Sequence, residues 1–392
     1  MTENRRASAP DGLPRILVCS PIPVTRVAKG FESLDLWARD VNAQSKLAHV
    51  TLLCAVSENI PDASARLNPD ISIIAEGEAS TFTQLSDAIA RTDYIQLPGN
   101  GGWRAARQYE KIFKLAKRHG KPVFLGISSN RARTNIINAQ NGSLIRKARA
   151  RVNYLDIRMT QMILARRCCG VFLVGEGLRK LVEPVTRNIH VGVASWIQLD
   201  DLAPPRARHE KPIRLCMAGR LEQMKGFHIG IAAYERVQGP AFEKLTIIGA
   251  GAEHDSLCRQ AEKAKLRNFN ILPPVSYPDA FFDFLDGQDI VLMTNLNDEQ
   301  PRLIFDAISR GCIALCPDSP PYRALNLDPR IFYKQGDANA LAERLTALTD
   351  PDLRVSIAQS ISATARSYTL PSMHAARLDW MKKMTASNRV GV

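Results

Sequence analysis

Two acids eight residues apart, Asp298 and Asp306 in the stretch NDEQPRLIFDAISRG, bracket a proline, an arginine and a short apolar run. Upstream, MAGRLEQMKGFHIG closes a strand at Gly219, sets Arg220 directly after it, and places Lys225 just before Gly226 and an apolar-periodic helix. Two cations at a strand's carboxyl end beside a helix N-terminus suit a diphosphate, because side-chain charge and free backbone N–H groups then act on the same oxygens. Taken singly, each reads as a loop cation in solvent. The next strand runs into IIGAGAEHDSL, where Gly249 and Gly251 let the backbone approach a ligand. A tight strand-to-helix turn needs glycine in any case.

The acids also admit a plain reading. Pro301 suits the first position of a helix on which Leu303, Ile304, Ala307 and Ile308 share one apolar face. At 100° per residue, Asp306 falls about 130° from the centre of that face and off the core. There it could form an exposed pair with Arg302 worth about 0.3–0.5 kcal/mol.

The elements that must position these residues are legible in the apolar pattern. RILVCS, HVTLLCAVS, ISIIAEG, DYIQLPG, KPVFLGIS and GVFLVGEG are short β-branched runs, each followed by a helix-length segment. After the polar, proline-rich DDLAPPRARHEKP comes a second series: IRLCMAGR, KLTIIGAG, FNILPPV, DIVLMTN, CIALCPDS and RIFYKQGD. Alternation of this kind predicts α/β architecture with two doubly wound parallel sheets, covered by helices on both faces. Ligands of such sheets lie beyond the carboxyl ends of the strands, so an interdomain cleft is expected. The expected boundaries are 1–205 for a Rossmann-like N-terminal domain and 206–370 for a Rossmann-like C-terminal domain. Residues 371–392 form a C-terminal helix open to packing back on the first.

Composition narrows the class. The 392 residues carry a net charge of +13 and are 45% hydrophobic, enough for two cores. Eight cysteines form no CxxC pair and mostly sit inside apolar runs, which predicts core thiols in a reducing compartment. No window reaches the roughly 18 apolar residues of a membrane span, and the first residues lack a signal-like run. A cytoplasmic protein, peripheral on the inner membrane face, is the expectation. The charge is lopsided: residues 101–150 hold twelve Lys and Arg against one acid. Within WRAARQYEKIFKLAKRHGK, Arg104, Arg107, Lys111, Lys114 and Arg118 fall on one stripe and Trp103, Ala106, Phe113 and Ala116 on another. Such a helix can lie on an anionic membrane or simply cover a sheet, and RKARARVNYLDIRMTQMILARR adds cations. No nucleic-acid module is recognisable.

In order and spacing, GRLEQMKG, IIGAG, DIVLMTN, an acid-x7-acid element running into AISRG, and YKQGD resemble one domain. It is the C-terminal domain of the retaining glycosyltransferases of GT-B fold, family 4 or group 1, over roughly residues 213–349. The resemblance implies that Arg220 and Lys225 hold the donor diphosphate, with backbone around Leu303 and Ile304 at the phosphates. It places Asp306 on the nucleotide ribose and Asp298 or Glu299 at the transferred sugar. Gly30, in PVTRVAKGFESLDLWARD, corresponds to a loop near donor or acceptor. The chain departs from the family in having aspartate at both acid positions and Glu299-Gln300 where a glycine and an aromatic are usual. Ser128, Ser129 and Asn130 stand where a histidine is common.

The implied activity is sugar transfer from a nucleotide diphosphate donor to a glycan or lipid-linked acceptor, in polysaccharide or glycoconjugate biosynthesis. It would need no cofactor or metal, because Arg, Lys and the helix dipole stabilise the leaving group. Two other readings stay open: a catalytically silent nucleotide-sugar binder in an assembly complex, and a GT-B nucleotide-sugar epimerase.

Overall fold

The computed structural model describes residues 12–59, 61, 63–77, 81–140, 142–204, 212–297 and 299–389, with side chains to residue 386. Asp298 lies outside the described residues.

The first sheet has seven parallel strands in the order Ile189–Gly192, Gly170–Val174, Val123–Ile127, Tyr94–Pro98, Arg15–Cys19, His49–Cys54 and Ser72–Ala75. The second has six parallel strands in the order Phe269–Leu272, Phe242–Ile248, Ile213–Ala218, Ile290–Leu292, Ile313–Pro317 and Phe332–Tyr333. Central strands read as continuous apolar runs because helices cover both faces: Leu17, Ile95, Leu125, Leu215 and Val291 are fully buried. Each sheet reverses its winding once, beside Arg15–Cys19 in the first and beside Ile213–Ala218 in the second. These reversals leave a crevice at the strands' carboxyl ends.

One element departs from the doubly wound plan. Val24–Val27 and Gly30–Leu34 form an antiparallel hairpin, flanked by Val56–Ser57 and Ser64–Arg66, as a separate four-stranded sheet. Gly30 has a φ of +113° at the hairpin's turn, a conformation glycine supplies without strain.

The chain crosses between domains twice. Residues 193–204 lead to the second sheet; after Pro351–Ala365 packs on its core, Leu370–Arg389 returns to the first. Leu378 and Met381 enter the first domain's core with Val41 and Phe124, and the Trp380 ring meets Phe124 edge-on. The two crossings are bonded to each other: Leu370 N donates to Ile197 O at 2.8 Å and Ser195 Oγ to Tyr368 O at 2.5 Å.

None of the eight cysteines is in a disulfide; Cys168, Cys169 and Cys258 are half-buried and the other five buried. No described helix is long and apolar enough to cross a membrane. Among the described residues, no group of three His, Cys, Asp or Glu could hold a metal ion.

Candidate active site

At the second sheet's reversal lies a cavity of about 560 Å³, lined among others by Arg220, Lys225, Gly249, Leu303 and Asp306. Sequence-distant residues meet there because Ile213–Ala218, Phe242–Ile248 and Ile290–Leu292 deliver their following loops to one end of the sheet. Arg220 is largely exposed, with Nη1 donating to Glu222 Oε1 at 2.7 Å. Lys225 is half-buried. Loss of solvent pulls its ammonium pKa down, Glu299 opposes this, and Arg220 adds to it. An anion entering the cavity would relieve that strain on the charged form.

Lys225 is held in place from below. Thr294 Oγ1 donates to its carbonyl at 2.8 Å, and Gly226 starts helix Phe227–Val237 from the left-handed region at a φ of +66°. A Cβ on Gly226 would strike the Thr294 carbonyl, so this loop lies against its neighbour only with glycine there. Gly249 and Gly251 answer to a similar demand. A Cβ on Gly249 would strike Gly219 O and one on Gly251 would strike Leu221 O. Gly249 does line the cavity, whereas Gly251 packs beneath the Arg220 loop.

Three expectations are corrected. The helix over the second acid starts at Leu303, with Arg302 as its N-cap, so Pro301 precedes it. Asp306 is a core position at 1% exposure, since residues 304–309 are buried all round. Tyr277 and helix Pro351–Ala365 pack against this helix, which a helical wheel cannot anticipate. The Arg302–Asp306 pair is accordingly half-buried, with the acid enclosed and Arg302 26% exposed. Arg302 Nε donates to Asp306 Oδ2 at 3.0 Å, and the Tyr277 hydroxyl donates to Oδ1 at 3.3 Å. Burial pushes the Asp306 carboxyl pKa up, and Arg302 and Tyr277 pull against it. Third, Gly30 lies on its hairpin and lines neither cleft cavity.

Arg302 is the residue that sequence reasoning undervalued. Its guanidinium sits 4.4 Å from the Trp196 ring centroid and 4.2 Å from that of Tyr277. It lines both the donor-side cavity and a second cavity of about 480 Å³ at the first sheet's reversal. That second chamber takes in Asn100 and Ser128, whose side chains bond each other at 2.7 Å.

Glu299 and Gln300 tie the two domains. Glu299 Oε1 accepts from Asn130 N at 2.9 Å and from Thr134 Oγ1 at 3.2 Å, at the start of helix Arg131–Asn138. Gln300, buried, accepts from Ala194 N at 3.1 Å and donates to Pro321 O at 3.0 Å. Neither Glu299 nor Ile304 lines the donor-side cavity.

Residues 200–364 match the family model described as glycosyl transferases group 1. The C-terminal domain is a group 1 glycosyltransferase domain. The whole chain has the GT-B fold. Sucrose-phosphate synthase from Thermosynechococcus elongatus superposes with a TM-score of 0.69 at 13% identity, over 95% of this chain and 100% of that one. Anabaena HepE in complex with UDP gives 0.63 at 12% identity, over 94% and 100%. An E. coli trehalose-6-phosphate structure bound with UDP-2-fluoro glucose gives 0.61 at 12%, over 94% and 99%. No curated protein matches by sequence. The group 1 domain therefore carries Arg220, Lys225 and Asp306, and the other GT-B domain supplies the facing wall.

On that other domain, the basic stretch is two helices, Trp103–Gln108 and Glu110–Arg118, broken at Tyr109. Arg104, Arg107, Lys111, Lys114 and Arg118 are exposed, as their stripe predicts. Trp103 does not join the apolar face and stands 50% exposed. Helix Leu144–Arg167 is the more unusual element. Leu144, Ile145, Val152, Leu155 and Met159 are 59–83% exposed on it, and no described residue covers them. At 100° per residue they span an arc of about 100°, with Arg149 at one edge and Arg151 at the other.

Proposed function

We propose that the protein is a retaining glycosyltransferase moving a sugar from a nucleotide diphosphate donor to a glycan or lipid-linked acceptor. The observation that carries this is the convergence of Arg220, Lys225 and the start of the Leu303–Ser309 helix on one cavity, at the group 1 domain's sheet reversal. UDP is the first nucleotide to test, because fold neighbours are seen with UDP or a UDP sugar.

In this reading Arg220 and Lys225 neutralise the diphosphate, with the start of the helix at Leu303 beside it. Asp306 governs the ribose end, acting through Arg302 and Tyr277, since its own carboxylate is enclosed by them. Glu299 is anchored across the cleft, which leaves Asp298 as the acid to orient the sugar. The bond from the anomeric carbon to the phosphate oxygen breaks as the acceptor oxygen bonds on the same face. The acceptor proton passes to the departing phosphate.

Calorimetric titration with UDP tests the site. Arg220→Ala and Lys225→Ala should each weaken binding by about 10- to 100-fold, the worth of one charge-assisted contact of roughly 1.5–3 kcal/mol. Unchanged affinity in both variants would remove the placement. Tight binding without transfer to any acceptor would instead favour the silent binder, and an epimerised sugar from donor alone would favour the epimerase.

A peripheral position on an anionic membrane belongs to the same reading. The exposed apolar arc of Leu144–Arg167, edged by arginines, has the form of an interfacial helix: apolar side chains toward acyl chains and cations toward head groups.

A further inference from the structure

Arg220 and Lys225 stand on one loop, and the bonds that hold this loop are divided between the domains. Arg220 is 72% exposed, and among the described residues its side chain makes one hydrogen bond, Nη1 to Glu222 Oε1 at 2.7 Å. Lys225 ends the one-turn helix Gln223–Lys225, whose N-cap Glu222 supplies no side-chain cap. The free N–H groups at the start of such a turn need an acceptor from elsewhere.

That acceptor comes from the first domain. Asn138, the last residue of helix Arg131–Asn138, accepts from Met224 N through Oδ1 at 3.3 Å and donates from Nδ2 to Glu222 Oε2 at 3.3 Å. One amide thus caps the turn that carries Lys225 and steadies the carboxylate that holds Arg220. The other end of the same helix is seated on Glu299. Asn138 does not line the donor-side cavity, so it acts there through its neighbours.

A long exposed arginine loses rotamer freedom when it takes up an anion, and that loss weakens binding. Glu222, fixed by Asn138, orders the guanidinium before the anion arrives.

Resting on the glycosyltransferase reading, we infer that Asn138 is a positioning residue for the donor diphosphate, acting across the cleft on Arg220 through Glu222 and on Lys225 through the Met224 amide. Both cations belong to the group 1 domain, yet their alignment depends on a helix end of the other domain. The effect is confined to the phosphates. Neither contact reaches the apolar wall of Pro274, Val275, Tyr277 and Phe281 in the same cavity, which suits a nucleobase.

The test is calorimetric titration of the full chain with UDP, dTDP, ADP and GDP, continued with the tightest of the four and with its nucleoside, the latter read by ligand-observed NMR. In Asn138→Ala the diphosphate should bind five- to tenfold more weakly, while the nucleoside stays within twofold of the parent. Retained nucleoside binding also shows that the variant is folded. Asn138→Ser, a milder change whose side chain is too short for either bond, should give the same split. Unchanged diphosphate affinity in both variants overturns the inference. An equal loss for diphosphate and nucleoside overturns it too, because Asn138 would then be a structural tie alone. Failure of the parent to bind any of the four diphosphates overturns the glycosyltransferase reading, and this inference with it.

Discussion

Arg302 makes three contacts at once: a hydrogen-bonded ion pair with Asp306 and two aromatic faces, Trp196 and Tyr277. Removing the cation leaves a carboxylate at 1% exposure without its charge partner. Arg302→Ala is therefore expected to destabilise the protein by about 3 kcal/mol, with Asp306→Asn in the same chain recovering at least half. A urea-denaturation cycle reads this coupling, and a single-variant loss under about 1 kcal/mol would show the pair to be peripheral to stability. The placing of Arg220 and Lys225 at one strand end was legible in the sequence because strand end, cation and helix start are local features. The burial of Asp306 was not, because its cover includes Tyr277 and helix Pro351–Ala365, far along the chain. One signal was present: LIFDAIS holds a single charge, which suits a helix enclosed on every side.

Among elements, the two parallel sheets could be read directly, since each buried strand is a continuous β-branched run between helix-length segments. The hairpin sheet over residues 24–66 was missed. Its strands, such as VTRV and GFESL, are short, half-polar and split by insertions, so neither alternation nor an apolar run stands out. The loop Glu299-Gln300 could not be assigned either, because its partners Asn130 and Thr134 belong to the other domain and Ala194 to the crossing. Glu299→Ala removes two hydrogen bonds to a carboxylate across the cleft, a loss of about 3 kcal/mol of closure. Small-angle scattering should then show a larger radius of gyration than the parent, and an identical radius would refute the clasp. Helix Leu144–Arg167 has its own prediction. Leu155→Asp with Met159→Asp should abolish co-sedimentation with vesicles containing anionic lipid while leaving the melting temperature within about 2 °C. Persistent, salt-sensitive binding in that variant would move the contact to the neighbouring cations of Trp103–Arg118.

For the molecule as a whole, the returning helix Leu370–Arg389 is fastened by a charged cluster. His374 Nε2 lies 3.3 Å from Asp40 Oδ1, and Arg377 Nη2 is 2.7 Å from His374 Nδ1. Burial works to raise the Asp40 carboxyl, but His374 and Arg377 outweigh it and hold it at about 2. Burial also lowers the His374 imidazolium pKa, and Asp40 only partly offsets this. Both folded-state values lie below their unfolded ones, so the unfolded chain takes up protons first. Stability is then lost as pH falls, below about 6.5 through His374 and below about 4 through Asp40. Asp306, shifted upward, acts in the opposite sense but is common to variant and parent. His374→Gln should flatten the fall in melting temperature between pH 7 and 5, and parallel curves for variant and parent would dissociate the cluster from acid sensitivity. The same helix also closes a circuit. Because the two interdomain crossings are laced together at Ile197–Leu370 and Ser195–Tyr368, the halves are joined as a door is by paired straps on one post. Opening then reduces to a swing about a single axis. The two chambers part and meet again without sliding past one another.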